Sequence, residues 1–134
     1  MSSMVFVNLP VRDLARSTAF FTALGLDLDP QYSDEKAACV VLGAESFVML
    51  LADPFFATFT TKPVADATAG TEVIVAFSVE SRARVDEVVE AAVSAGGSPS
   101  TPAIEEGGMY SRSFQDPDGH VWEAMFMGAS GAAG

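Results

Sequence analysis

The chain has 134 residues, 49% hydrophobic and 19% charged, with eighteen acidic against seven basic side chains and a formal net charge of −11. That length and balance fit one globular domain, or one domain of two small halves, and exclude a disordered chain. The acidity disfavours nucleic-acid phosphates and anionic membranes as partners, and no stretch approaches the roughly 20 apolar residues of a membrane span, so a cytoplasmic location is expected.

In chain order, "MVFVNLP" (4–10) reads as a strand ended by Pro10, and Asp13 is placed to cap a helix that runs to Gly25. Three short apolar segments follow, "LDLDPQY", "KAACVVLG" and "SFVMLLA", separated by turn-formers such as Ser33, Asp34 and Gly43. Cys39, the single cysteine, lies in the second of them and reads as a small buried hydrophobe. Residues 53–70 have no clear period and read as a connector with one short helical turn.

The pattern then restarts. "TEVIVAFSV" (71–79) is strand-like, and Ser81 is placed to cap a helix whose Val85, Val88, Val89, Ala92 and Val93 share one apolar face. Gly96 and Gly97 stop that helix, strands are predicted near 100–105, 109–115 and 120–127, and Gly107-Gly108 is read as a hairpin turn. The chain thus holds two β-α-β-β-β modules, 4–52 and 71–127, an α+β architecture, with the tail 128–134 expected to be disordered.

"NLPVRDLARSTAFFTALGL", the second strand-helix unit ending in "AGG", and the closing "DPDGHVWE" together resemble the vicinal oxygen chelate superfamily, over about residues 4–127. That group includes glyoxalase I, extradiol dioxygenases, fosfomycin-resistance thiol transferases and bleomycin-resistance binding proteins. The resemblance implies a mixed sheet, cupped around a ligand cavity, in a chain that is often a homodimer. In the metalloenzymes it further implies a divalent ion held by side chains from both modules.

Carried onto this sequence, the resemblance puts the carboxylate ligand of the last strand at Glu123, five residues after Asp118. The other ligand positions fall on Phe6, Met49 and Ile74, none of which can hold such an ion. No cofactor is therefore expected, although a shifted site of Asn8, Glu72 and Glu123 would offer oxygen ligands if period two turns all three into the cup. Resemblance to the thiol transferases turns Ser111 and Ser113 toward the cup and Tyr110 and Arg112 away from it. His120, out of phase with Glu123, reads as a surface or packing histidine.

These residues are consistent with a metal-independent protein that binds a small molecule in the cup, with Phe6, Asn8, Met49, Glu72, Ile74, Ser111, Ser113 and Glu123 as its lining. A lyase, isomerase, transferase or dioxygenase is the alternative, with Glu123 as its acid or base if it has a catalytic group. A structural or interaction module with a filled cup is the second alternative. Phe55, Phe56 and Phe59 are readable either as a lid over an apolar ligand or as packing between modules.

Overall fold

The protein is described by a computed structural model over residues 3–128; the tail expected to be disordered falls, but for Gly128, outside the described residues. Two units make up the chain, Met1–Asp66 and Ala67–Gly134.

In the first unit β1 (Val5–Val11) leads into α1 (Leu14–Ala23), followed by β2 (Asp27–Leu28), a 3-10 turn (Pro30–Tyr32), β3 (Ala37–Gly43), β4 (Ser46–Ala52) and a short α2 (Asp53–Ala57). The sheet order is β1-β4-β3-β2, with β1 parallel to β4 and the other pairs antiparallel. Asp13 caps α1 by accepting from the Arg16 amide at 3.1 Å, and Gly25 closes it with φ +86. Period two puts Leu9, Val11, Val40, Val48 and Leu50 on one face, all fully buried together with Phe20 and Phe21 of α1, which packs on this sheet. Each such side chain removed from water contributes about 2 kcal/mol.

Two expectations change here. Pro10 does not end β1, which continues to Val11, because β1 is an edge strand where a missing N–H costs no ladder bond. The segment "LDLDPQY" forms two strand residues before Asp29 accepts from the Gln31 amide at 2.9 Å and Pro30 starts the 3-10 turn.

The second unit runs β5 (Ile74–Ser78), α3 (Arg82–Ser94), β6 (Ser98–Pro99), β7 (Ile104–Glu106), β8 (Met109–Gln115) and β9 (Val121–Met127). Its order is β5-β9-β8-β6, with β7 also paired to β8 and only β5–β9 parallel. Ser81 Oγ caps α3 by accepting from the Arg84 amide at 3.0 Å. Val85, Val88, Val89 and Ala92 are buried against a sheet face built of Val75, Phe77, Phe114, Trp122 and Ala124. Phe114 lies parallel to Trp122 and Phe77 meets it edge-on, both with centroids 6.4 Å apart.

Val93 stands at the rim of α3 and is 44% exposed, so the apolar face is one residue narrower than its spacing suggests. The single strand predicted over 100–105 is two short pieces with residues 100–103 between them. Pro99 and Pro102 interrupt the ladder there. Gly107 and Gly108, at φ +59 and +83, make the two-residue hairpin between β7 and β8, where both central positions must be left-handed. Among the described residues no helix is long and apolar enough to cross a membrane.

Candidate functional site

In each unit α1 or α3 packs on one sheet face, and the sequence-predicted site residues fall on the opposite, open face with one exception; on those faces Cys39, Leu51, Ser111 and Ser113 are nonetheless buried. In the first unit Phe6, Asn8 and Met49 lie together: Phe6 pairs with Phe47 and Asn8 with Met49, which also faces Cys39. The Phe6 ring stacks on Phe47 at 4.9 Å and meets Tyr32 edge-on at 5.9 Å. Asn8 is exposed and its amide reaches only the Phe6 carbonyl, at 3.4 Å. Cys39 is fully buried, and burial first, then the nearby Asp29, push its thiol above the usual range, away from reactive thiolate character.

In the second unit the turn "DPDG" and the strand after it set the site. Asp116 is 4% exposed, yet its carboxylate is well supplied: Oδ1 accepts from the amides of Asp118 (2.9 Å) and His120 (3.0 Å), and Oδ2 from Trp122 Nε1 (3.0 Å). Burial pushes the Asp116 carboxyl up, against the opposing pull of His120 and of these donors. Gly119 has φ +90, and a Cβ there would lie 3.0 Å from the Ala67 carbonyl oxygen, so the turn tolerates no side chain. The turn thereby fixes Trp122 inward on the α3 side, and alternation sends Glu123 to the open face. His120 is buried in the same turn, a packing histidine rather than a surface one.

On the open face Glu123 of β9 stands between Ala76 of β5 and Ser113 of β8, and Ser111 pairs with the next outward residue, Met125. Glu123 is half-buried, and no N–H or O–H among the described residues reaches its carboxylate. Ser113 is engaged elsewhere: its Oγ accepts from the Thr101 amide at 2.9 Å and lies 2.8 Å from Thr101 Oγ1. Ser111 Oγ is fully buried and has no hydrogen-bond partner among the described residues. Ile74 is on this face and 58% exposed. Glu72 is the exception, an exposed residue two positions before β5 begins, where the period-two argument that placed it no longer operates.

Tyr110 and Arg112 point the other way, to α3, where Asp86 accepts from the Tyr110 hydroxyl at 2.7 Å and from Arg112 Nη1 at 2.9 Å. Those donors, the tyrosine first, hold the Asp86 carboxyl below its usual range, and Asp86 in turn raises the Tyr110 phenol. Sequence reading passed over Thr101 and Asp86, whose partners lie 12 and 24 to 26 residues away. The Asp116 carboxylate carried a usable signal, since an Asp opening a Pro-Asp-Gly turn commonly accepts from the amide two residues on. The ring of Phe55 in α2 meets that of Phe59, two residues past the helix, edge-on at 5.0 Å, and Phe59 remains 68% exposed.

Residues 3–124 match the model of the Glyoxalase/Bleomycin resistance protein/Dioxygenase superfamily. The chain belongs to that superfamily. Among solved structures this superfamily member is similar to a hypothetical protein of S. aureus, with 27% identity, TM-score 0.78 and 94% of each chain covered. A glyoxalase-related enzyme from Fulvimarina pelagi matches at 21% identity and TM-score 0.76, over 98% of this chain and 96% of that one. The fosfomycin resistance protein FosX from Listeria monocytogenes matches at 23% identity and TM-score 0.64, over 94% and 93%. The latter two likenesses carry the fold. Comparison with the curated proteins gives no match.

The divalent ion of the superfamily's metalloenzymes can be tested against the donors present. Phe6 is committed to a ring stack, Met49 offers a thioether between Asn8 and Cys39, and Ile74 offers no donor. Among the described residues no three His, Cys, Asp or Glu side chains gather as a metal site requires. One carboxylate supplies too few bonds for a hard cation, so these residues do not fit the ion, and the shifted set fails with Glu72 outside the strand.

Proposed function

We propose that this superfamily member binds a small organic molecule on the open sheet face that carries Glu123, without metal-centred chemistry. The observation that supports this reading is the Glu123 carboxylate itself: half-buried beside Ala76, Val121 and Met125 and without a donor among the described residues. A carboxylate so placed costs stability unless something arrives to pair with it, and nothing in the sheet requires it. The metal-dependent lyase, isomerase, transferase or dioxygenase reading needs donors that Phe6, Met49 and Ile74 do not provide. A homodimer fits the same picture, because edge strand β1 and the residue before it leave Val5 and Met4 55% and 45% exposed, an apolar end that a second chain would cover.

The test is a small-molecule screen by thermal shift, followed by titration calorimetry on the wild type and on Glu123→Ala. Ligands that stabilise the wild type and bind the variant at least about tenfold more weakly, a loss of about 1.4 kcal/mol, are the expected result. Stoichiometric Mg²⁺, Mn²⁺, Fe²⁺, Ni²⁺ or Zn²⁺ that disappears in Glu123→Ala would overturn the metal-free reading. A screen whose ligands ignore the substitution would remove the site.

A further inference from the structure

The strand positions of the open face in the second unit carry no lysine, arginine or histidine. Their charged residues are Glu123, and Glu106 beside the β7–β8 hairpin. A ligand reaching Glu123 therefore meets a carboxylate with no basic group on the strand positions of that face to offset it, in a chain of net charge −11. An anionic ligand would be repelled at the point where the face offers its strongest hydrogen-bonding group.

Ser111 is the second observation. It is 1% exposed, its Oγ has no hydrogen-bond partner among the described residues, and it lies on the same face as Glu123, two residues along β8 from the directly paired Ser113. Diagonal neighbours of this kind have Cβ atoms about 7 Å apart, close enough for one small group to touch both side chains. The neighbouring Ser113 hydroxyl is already occupied by Thr101, which leaves Ser111 as the acceptor. A carboxylate and a hydroxyl lone pair side by side call for several donors on one atom. An alkylammonium, with three N–H groups, supplies them, whereas an alcohol has a single O–H to give.

From these observations we infer that the ligand is an organic amine, bound as its ammonium between Glu123 and Ser111, with an apolar body lying on Met125. This rests on the small-molecule reading above and names the ligand class for that same site. Glu123 accepts two charge-assisted bonds, Ser111 Oγ accepts the third, and the flexible Met125 side chain fits the hydrocarbon part without fixing its shape. The selectivity is for charge and donor number, with broad tolerance of the apolar body.

The experiment compares three probes of one shape, 2-phenylethylamine, 2-phenylethanol and 3-phenylpropanoate, by titration calorimetry at pH 7. The intact protein is set beside Glu123→Gln and Ser111→Ala, with far-UV circular dichroism as the check on folding. The amine is expected to bind at least about tenfold more tightly than the alcohol, and the carboxylate not measurably. Glu123→Gln should lower amine affinity about tenfold and leave the alcohol unchanged. Ser111→Ala, which keeps the carboxylate, should weaken the amine a few-fold and the alcohol not at all.

Should the alcohol or the carboxylate bind as tightly as the amine, the ammonium assignment fails while the small-molecule reading stands. If the broad screen yields ligands sensitive to Glu123 and the amine probe is not among them, the assignment fails in the same way. No ligand of any class would overturn the underlying reading as well.

Discussion

Replacing Glu123 with methionine should make the protein more stable, and the size of the gain follows from where the residue sits. Glu123 is half-buried between Ala76 and Ser113 with no donor among the described residues, so folding withdraws part of its hydration without a return. Because the carboxylate keeps some contact with water, that cost is about 1 kcal/mol, toward the low end for an unsatisfied buried polar group. A half-buried methionine adds about half of the 2 kcal/mol that full burial of such a side chain gives, again about 1 kcal/mol. The substitution should therefore stabilise by about 2 kcal/mol in urea melts followed by circular dichroism, with an unchanged denaturant slope. For a chain of this size that corresponds to a melting temperature about 7 °C higher. Amine binding should be lost in the same variant, the trade expected where a binding group is held at the expense of the fold. A loss of 1 kcal/mol or more would refute the reasoning: it would show Glu123 to be a structural partner in the sheet and would remove the observation on which the binding site rests.

Asp116→Ala should destabilise by about 3 kcal/mol or more in the same melts, because the Asp118 and His120 amides and Trp122 Nε1 would be left buried without an acceptor. Trp122 near-ultraviolet dichroism should weaken with it; an intact band and a loss under 1 kcal/mol would deny the turn its anchoring role. Asp86, whose carboxyl the Tyr110 hydroxyl and Arg112 hold low, contributes stability that is present above the unfolded carboxyl value near 3.9 and lost as pH falls through its lower folded value. Since Asp86 and Arg112 are both partly exposed, the advantage of wild type over Asp86→Ala should be about 1 kcal/mol at pH 6 and should shrink below pH of about 4. A difference constant from pH 6 to pH 3 would contradict this.

Local chemistry was the legible part of the sequence. Asp13 and Ser81 announce their helices because a short acceptor side chain before an apolar period has few other uses, and the α3 stripe follows from its spacing alone. The resemblance to the thiol transferases, rather than the pattern of residues alone, puts Ser111 and Ser113 on one face and Tyr110 and Arg112 on the other, and the strand pairing has that alternation. The errors arise where a proline or a cap outweighs the apolar pattern: at Pro10 on an edge strand, at Pro30 after β2, and at Pro99 and Pro102 in the broken strand over 100–105. Glu72 lies before β5 for a related reason, since the strand-like pattern starts before the backbone pairs. Contacts between distant residues left no trace in the pattern. Nothing in the order of residues tells that Thr101 occupies Ser113 while Ser111 stays unpaired, because that depends on how a loop returns over the strand.

The bond from Thr101 to Ser113 gives that loop a use in following the protein in solution. Backbone amides in a connection such as residues 100–103 ordinarily trade their hydrogens with water freely, while this one donates to a buried side-chain oxygen. Thr101 should therefore be a slow exchanger inside a fast-exchanging segment, and its rate is set by how often the Ser113 hydroxyl lets go. Because Ser113 pairs directly with Glu123, the deuterium uptake of one loop amide becomes a label-free gauge of the strand that carries the carboxylate.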